Sequence, residues 1–186
     1  AFIVLEALKK LHGYTRKKKN ALDCAVFAVC SVQEEVGLRG ATTAAYQIEP
    51  HVGIAVDVGF ATDYPSENKK TIGDFKLGEG PILHRGANVN PPLAELMESV
   101  ADKRNIPYQI SGDGGIMGTD AGPMQISRRG VATALLSLPN RYMHSPVEMV
   151  SLRDVENSAE LLAQTAIHLK SDYSFIPEAK LAKEEE

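Results

Sequence analysis

Hydrophobic positions along this chain follow two periods, and the order in which they alternate indicates the fold class. AFIVLEALKKL, Ala1 to Leu11, sets Phe2, Leu5 and Leu8 at helical spacing, with Leu11 following, and turns Lys9 and Lys10 away. That pattern predicts an amphipathic helix. No Ser, Thr, Asp or Asn precedes it as a cap and no Met begins it, so it reads as a helix interior, as though the chain were entered partway through. DCAVFAVCSV, Asp23 to Val32, is apolar on both alternating faces, the pattern of a strand covered on both sides. HVGIAVDVGFA, His51 to Ala61, is a second such run, broken by one acid, Asp57.

Residues 62–90 are rich in turn formers and predict loops with short strands. NPPLAELMESVADKRN has an N-cap in Asn90, first-turn prolines in Pro91 and Pro92, and an apolar face of Leu93, Leu96, Met97 and Val100. Ile106 to Ile110 reads as a strand. VATALLSLP is a third apolar strand, ended by Pro139, and NRYMHSPVEMVS connects it to a last helix marked by Leu152, Val155, Leu161, Leu162, Ala166 and Leu169. Strands alternating with helices predict an α/β sandwich, with a largely parallel mixed sheet between helices. One domain is expected over residues 1–178, followed by a charged flexible tail over 179–186.

Composition narrows this picture. With 186 residues, 44% of them hydrophobic, the chain is long enough for one sizeable core. A net charge of −4 argues against nucleic acid or an anionic membrane as the main partner. The basic stretch Gly13 to Asn20 therefore reads as a solvated loop tip. No apolar stretch is long enough to span a bilayer and no signal peptide is visible, so a cytoplasmic protein is expected. Cys24 and Cys30 would sit roughly 20 Å apart along one strand, beyond disulfide reach, and read as reduced core residues.

Ligands of open α/β sheets gather where strands end at their carboxyl edge. Glu34 and Glu35 follow the first predicted strand, Asp57 lies within or just past the second, and His144 in RYMHSP follows the third. Singly, each reads as a solvated acid, a strand acid bonded to backbone, or an ordinary histidine. Together they make a divalent-metal site of carboxylate oxygen and imidazole nitrogen, suited to zinc, cobalt or manganese. Neighbouring side chains of an extended segment point opposite ways. One glutamate would then bind metal while the other faces the bound water as general base. The glycine-rich stretch SGDGGIMGTDAG fits no phosphate-binding motif and reads as a tight loop passing near a site.

VQEEVGLRGA, AVDVG, GTDAGPMQISRRGV and PNRYMHSPVEMVSLRDVEN, in that order, resemble the M42 family of metallo-aminopeptidases, the glutamyl, deblocking or tetrahedral aminopeptidase group. The resemblance implies a zinc-peptidase-like fold, with the chain forming the C-terminal portion of a catalytic domain. It implies hydrolysis of N-terminal residues from peptides, two divalent metal ions per complete site, and homo-oligomeric assembly. By that resemblance Glu34 is the general base, Glu35 and His144 hold one metal and Asp57 holds the second. Thr119 and Asp120 match a loop with a structural or substrate-positioning role. The family's early histidine and its metal-bridging aspartate have no counterpart here, and Asp23, which precedes a predicted strand, does not substitute. The isolated chain is accordingly expected to be a poor or inactive enzyme. Two other readings stay open: an endoglucanase-type glycoside hydrolase, which needs a carboxyl pair flanking a sugar bond, and a catalytically incomplete fragment acting as a binding module.

Overall fold

The structure, a computed structural model, describes residues 1–18, 21–65, 67–115 and 118–177. The expected tail over 179–186 lies outside the described residues. Elements run α1 (Phe2–Lys17), α2 (Arg39–Ile48), β1 (Val52–Phe60), α3 (Lys69–Ile72), β2 (Ile82–Gly86), α4 (Pro91–Arg104), β3 (Gln109–Asp113), α5 (Ala121–Gln125), β4 (Ala132–Arg141), β5 (Met149–Val150) and α6 (Leu152–His168). The sheet order is β1–β4–β2–β3, with β5 paired to β4. β1–β4 and β2–β3 are parallel, while β2–β4 and β4–β5 are short antiparallel pairings. The sheet is therefore mostly parallel and flanked by helices, as expected.

β4 is the spine. It is buried from Thr133 to Asn140, and its alternation feeds two cores. Ala134, Leu136 and Leu138 face α1, α4 and α6, packing with Leu93, Met97, Val100, Leu161, Ile3, Ala7 and Ala159. Leu135 faces the other way with Ala55 of β1 and Ala121 of α5. Pro139 does not end the strand, which continues to Arg141. Pairing with β2 stops at Ser137 and pairing with β5 begins at Asn140. The missing proline N–H therefore falls in a gap of the ladder on that side.

α4 forms as read: Asn90 Oδ1 accepts from Leu93 N at 3.1 Å, and Leu93, Met97 and Val100 are buried. Other expectations shift. α1 buries Ile3, Ala7 and Leu11, while Phe2 and Leu5 are exposed. Lys10 faces α6, with Nζ 3.2 Å from Glu160 Oε2, and Tyr14 Oη donates to Glu160 Oε1 at 2.6 Å. An N-terminal turn apolar on nearly every side fits two stripes, and the α6 contacts select one. β3 starts at Gln109, three residues later than Ile106, whose side chain is buried in the α4 core instead. Leu152 is exposed on α6, where Asp154, Ser158 and Thr165 are buried.

The largest departure is Asp23–Val32. It forms no strand among the described residues, and Val26, Phe27, Val29 and Val32 are exposed. Alternation reports what a segment could bury, and no neighbouring strand covers this one. Cys30 is exposed too, so it is no core residue, while half-buried Cys24 directs Sγ at Ala166 O, 3.8 Å away.

One buried acid organises the loop before β2. Asp154 is fully buried and accepts from Gly78 N at 2.7 Å and Gly80 N at 2.9 Å. Gly80 sits at φ +93°, and a Cβ there would lie 2.0 Å from Pro107 O, so only glycine fits. Asp154→Ala would strand two backbone donors, each costing about 1–3 kcal/mol. A loss of about 3 kcal/mol is expected in urea denaturation, with a smaller loss for Asp154→Asn; an unchanged midpoint for the Ala variant would refute this role.

Candidate active site

Asp57 reaches the site from β1. It shares the face of Ala55, on the α5 side of the sheet, and is in register with Ser137 of β4. The side chain is half-buried, and its Oδ1 accepts from Val58 N at 2.8 Å. Burial pushes its carboxyl up from the ordinary 3.8; the Val58 amide opposes this, Asp120 and Glu35 add to it, and His144 opposes it.

Glu34 and Glu35 lie in a turn, not the extended segment expected. Gly37 N and Leu38 N both donate to Glu34 O, at 3.1 and 2.9 Å, with Gln33 at φ +58° and Leu38 at φ +56°. Strand alternation therefore does not separate the two carboxylates; the turn does, leaving Glu34 half-buried and the Glu35 side chain 79% exposed. Gly40 closes this turn: its N donates to Val32 O at 2.8 Å, and a Cβ there would lie 2.3 Å from Val32 N. Left-handed backbone at two non-glycine positions stores strain that the surroundings must hold in place. Burial raises the Glu34 carboxyl above its ordinary 4.5, followed by repulsion from Asp57, Glu35 and Asp120, against a smaller opposing pull from His144.

His144 stands on the hairpin loop between β4 and β5, not on an approach to a helix. It too is left-handed, at φ +61°, and its N donates to Glu148 Oε1 at 2.6 Å. Its Nε2 lies 3.8 Å from Glu35 Oε1. Asp120 stands at the N-cap position of α5 without a capping side-chain hydrogen bond, and accepts from Ser31 Oγ at 2.5 Å. Its Oδ1 and Thr119 Oγ1 are buried without a partner among the described residues.

Glu35 and His144 thus meet directly, while Glu34, Asp57 and Asp120 feel one another's charge. Carboxylates that repel one another beside an imidazole, with an orphaned carboxylate oxygen at hand, are the donor chemistry of a divalent cation. In number they fall short: among the described residues no three His, Cys, Asp or Glu side chains are grouped to hold one metal ion. Further donors, from water, substrate or protein, would be needed to complete a site.

Sequence reasoning missed the residues that hold these groups in place. Ser31 and Asp120 are 89 positions apart, and Asp63 and Arg141 are 78 apart. Asp63 follows β1 directly and carries a weak signal as an acid in a turn, whereas nothing local marks its partner. The deeper tie between Gly40 and Val32 was equally invisible, although a glycine at a helix start is unusual enough to draw notice.

Residues 1–161 match the family described as M42 glutamyl aminopeptidase. The chain is 48% identical over 145 residues to a lysyl aminopeptidase of Pyrococcus furiosus, a match covering 78% of this chain and 41% of that protein. Among solved structures, the TET aminopeptidase of a Thaumarchaeota archaeon aligns with a TM-score of 0.80 at 32% identity, covering 91% of this chain and 46% of that one. The TET1 peptidase of Pyrococcus horikoshii aligns with a TM-score of 0.61 at 37% identity, covering 75% and 40%. The chain spans less than half the length of these relatives. By its family match and the agreement in fold, this chain belongs to the M42 aminopeptidase family.

Proposed function

We propose that this chain carries one side of the catalytic site of a metal-dependent aminopeptidase, which removes N-terminal residues from peptides. The observation that carries this reading is the 3.8 Å approach of Glu35 to His144 from two separate segments, with Glu34 and Asp57 near enough for their carboxyls to respond to both. Family membership supports it. In this reading Glu35 and His144 hold one divalent cation, zinc before cobalt or manganese, and Asp57 holds a second. Such cations supply Lewis acidity toward water and the scissile carbonyl.

Glu34 is the proton carrier. In the metal-free chain burial and the neighbouring acids raise its carboxyl, and a carboxylate held beside the attacking water can accept a proton and return it. It takes a proton from the attacking water as the new C–O bond forms. It then delivers that proton to the departing amine nitrogen as the C–N bond breaks. Asp120 lies near enough to act on the Glu34 and Asp57 carboxyls, and in this reading it and the adjacent Thr119 position substrate. Homo-oligomeric assembly is part of the proposal, by likeness to the TET1 peptidase of Pyrococcus horikoshii, which assembles into a tetrahedron or a large octahedral shell.

Two tests follow from this geometry. A carboxyl raised by folding stabilises the fold most below its unfolded value, and that contribution is lost as pH rises through the folded value. In metal-free buffer Asp57→Asn should match the wild type near pH 3.8 and below, then become the more stable form as pH rises toward neutrality. Denaturation midpoints across pH measure this, and a variant less stable at pH 7 would contradict the repulsion. Assayed with added zinc, cobalt or manganese on aminoacyl chromogenic substrates, the chain should turn over slowly, since few of its own donors converge. That activity should vanish in chelator and fall about 10²–10⁴-fold in Glu34→Gln. Turnover that persists in chelator or survives the substitution would overturn the proposal.

A further inference from the structure

The loop carrying His144 has backbone that is costly by itself. Tyr142 and His144 sit at φ +60° and +61°, with only Met143 between them, and each non-glycine residue held there costs roughly 1–3 kcal/mol. Such a loop keeps its shape only if neighbouring contacts determine it. The strongest begins immediately before it. Arg141, the last residue of β4, places Nε 2.7 Å from Asp63 Oδ1 and Nη2 2.7 Å from Asp63 Oδ2. This is a two-pronged pair, with both side chains largely shielded from solvent.

Asp63 stands just past the end of β1, the strand that carries Asp57. Its second oxygen also accepts from Leu77 N at 3.1 Å, so the acid is itself held by a third segment. Beside the pair, the rings of Tyr64 and Tyr142 meet with centroids 4.5 Å apart. The loops leaving β1 and β4 are thus joined twice, once through charge and once through aromatic packing.

We infer that Asp63 and Arg141 are positioning residues, which fix the His144 loop relative to the end of β1 and so set the spacing between His144 and Asp57. The inference rests on the reading of His144 and Asp57 as site residues and adds how their separation is held. Neither Asp63 nor Arg141 touches substrate or a reacting atom in this role. The Arg141 guanidinium holds the Asp63 carboxyl below its ordinary range, so the pair stays charged further into acid than an ordinary aspartate would.

Amide hydrogen exchange on the 186-residue chain tests the inference without any need for activity. Two amides report on the loop: His144 N, bonded to Glu148, and Ser145 N, bonded to Tyr142 O at 3.1 Å. Arg141→Lys keeps the cation and loses the fork. It should speed exchange at these two amides tenfold or more, while Met97 and Leu136 in the core exchange as in wild type. Asp63→Asn keeps one acceptor oxygen and should produce a smaller change at the same amides; it decides the matter if the lysine variant does not fold. An unchanged loop in both variants, or an equal increase throughout the core, would overturn the positioning role. Zinc titration of the same samples separates the two readings. A wild-type chain that binds no zinc counts against the metal site, whereas the exchange pattern decides the role of Asp63 and Arg141.

Discussion

The parallel pairing of β1 with β4 is the constraint on which the site depends. Its register runs without a break from Val52↔Ala132 to Phe60↔Asn140, and β4 is buried along nearly all of that length. A slip of one residue would turn every side chain of β1 to the opposite face. Ala55 would leave the small core it shares with Leu135 and Ala121, and Asp57 would be driven among Ile3, Ala7 and Leu138, where an uncompensated carboxylate is costly. The hydrophobic effect acting on Ala55, Leu135 and their neighbours therefore determines which way Asp57 points. Because the two strands run in the same direction, their following loops, one with Asp63 and one with His144, emerge at the same edge.

Much of the fold could be read from the chain because its signals are local. Asn90, Pro91 and Pro92 followed by an apolar stripe define α4, and the structure has each of them in its expected place. β1 and β4 were likewise marked by long runs of apolar residues. Where local signals were ambiguous, partners distant in sequence decided. Two stripes on α1 have helical spacing, and packing against α6 buries Ile3, Ala7 and Leu11 rather than Phe2, Leu5 and Leu8. Asp23–Val32 has the composition of a covered strand, yet it lies exposed, since composition carries no information about which neighbour is present.

The candidate site divides along the same line. Glu34, Glu35, Asp57 and His144 stood out because polar residues interrupt or follow apolar runs, a pattern with a cost that invites explanation. Asp154 gave no such signal. It reads as an ordinary acid in the first turn of α6, where the helix dipole alone would account for it. Its actual partners, Gly78 and Gly80, are more than seventy residues away. Ser31, Asp63 and Arg141 are of the same kind. Residues that do chemistry tend to violate local expectation, whereas residues that hold them in place often satisfy it and acquire their role only through the fold.

Two aspartates at the end of β1 make the contrast physical. Asp57 and Asp63 are six positions apart, yet their carboxyls are displaced in opposite directions, Asp57 upward and Asp63 downward. Asp63 has a guanidinium on both oxygens and a backbone amide as well. Asp57 accepts from its neighbour's amide and otherwise faces other acids; the Val58 amide and His144 oppose its upward shift without cancelling it. A chain selected for stability alone would pair both or replace one with a neutral residue, since an unmatched, half-buried carboxylate lowers stability at neutral pH. Asp63 is matched by the protein itself. Asp57, Glu34 and Asp120 repel one another, and among the described residues no lysine or arginine is a cause of the shift at Asp57 or Glu34. Under the proposed reading, divalent cations supply the charge that balances this acidic cluster beside His144.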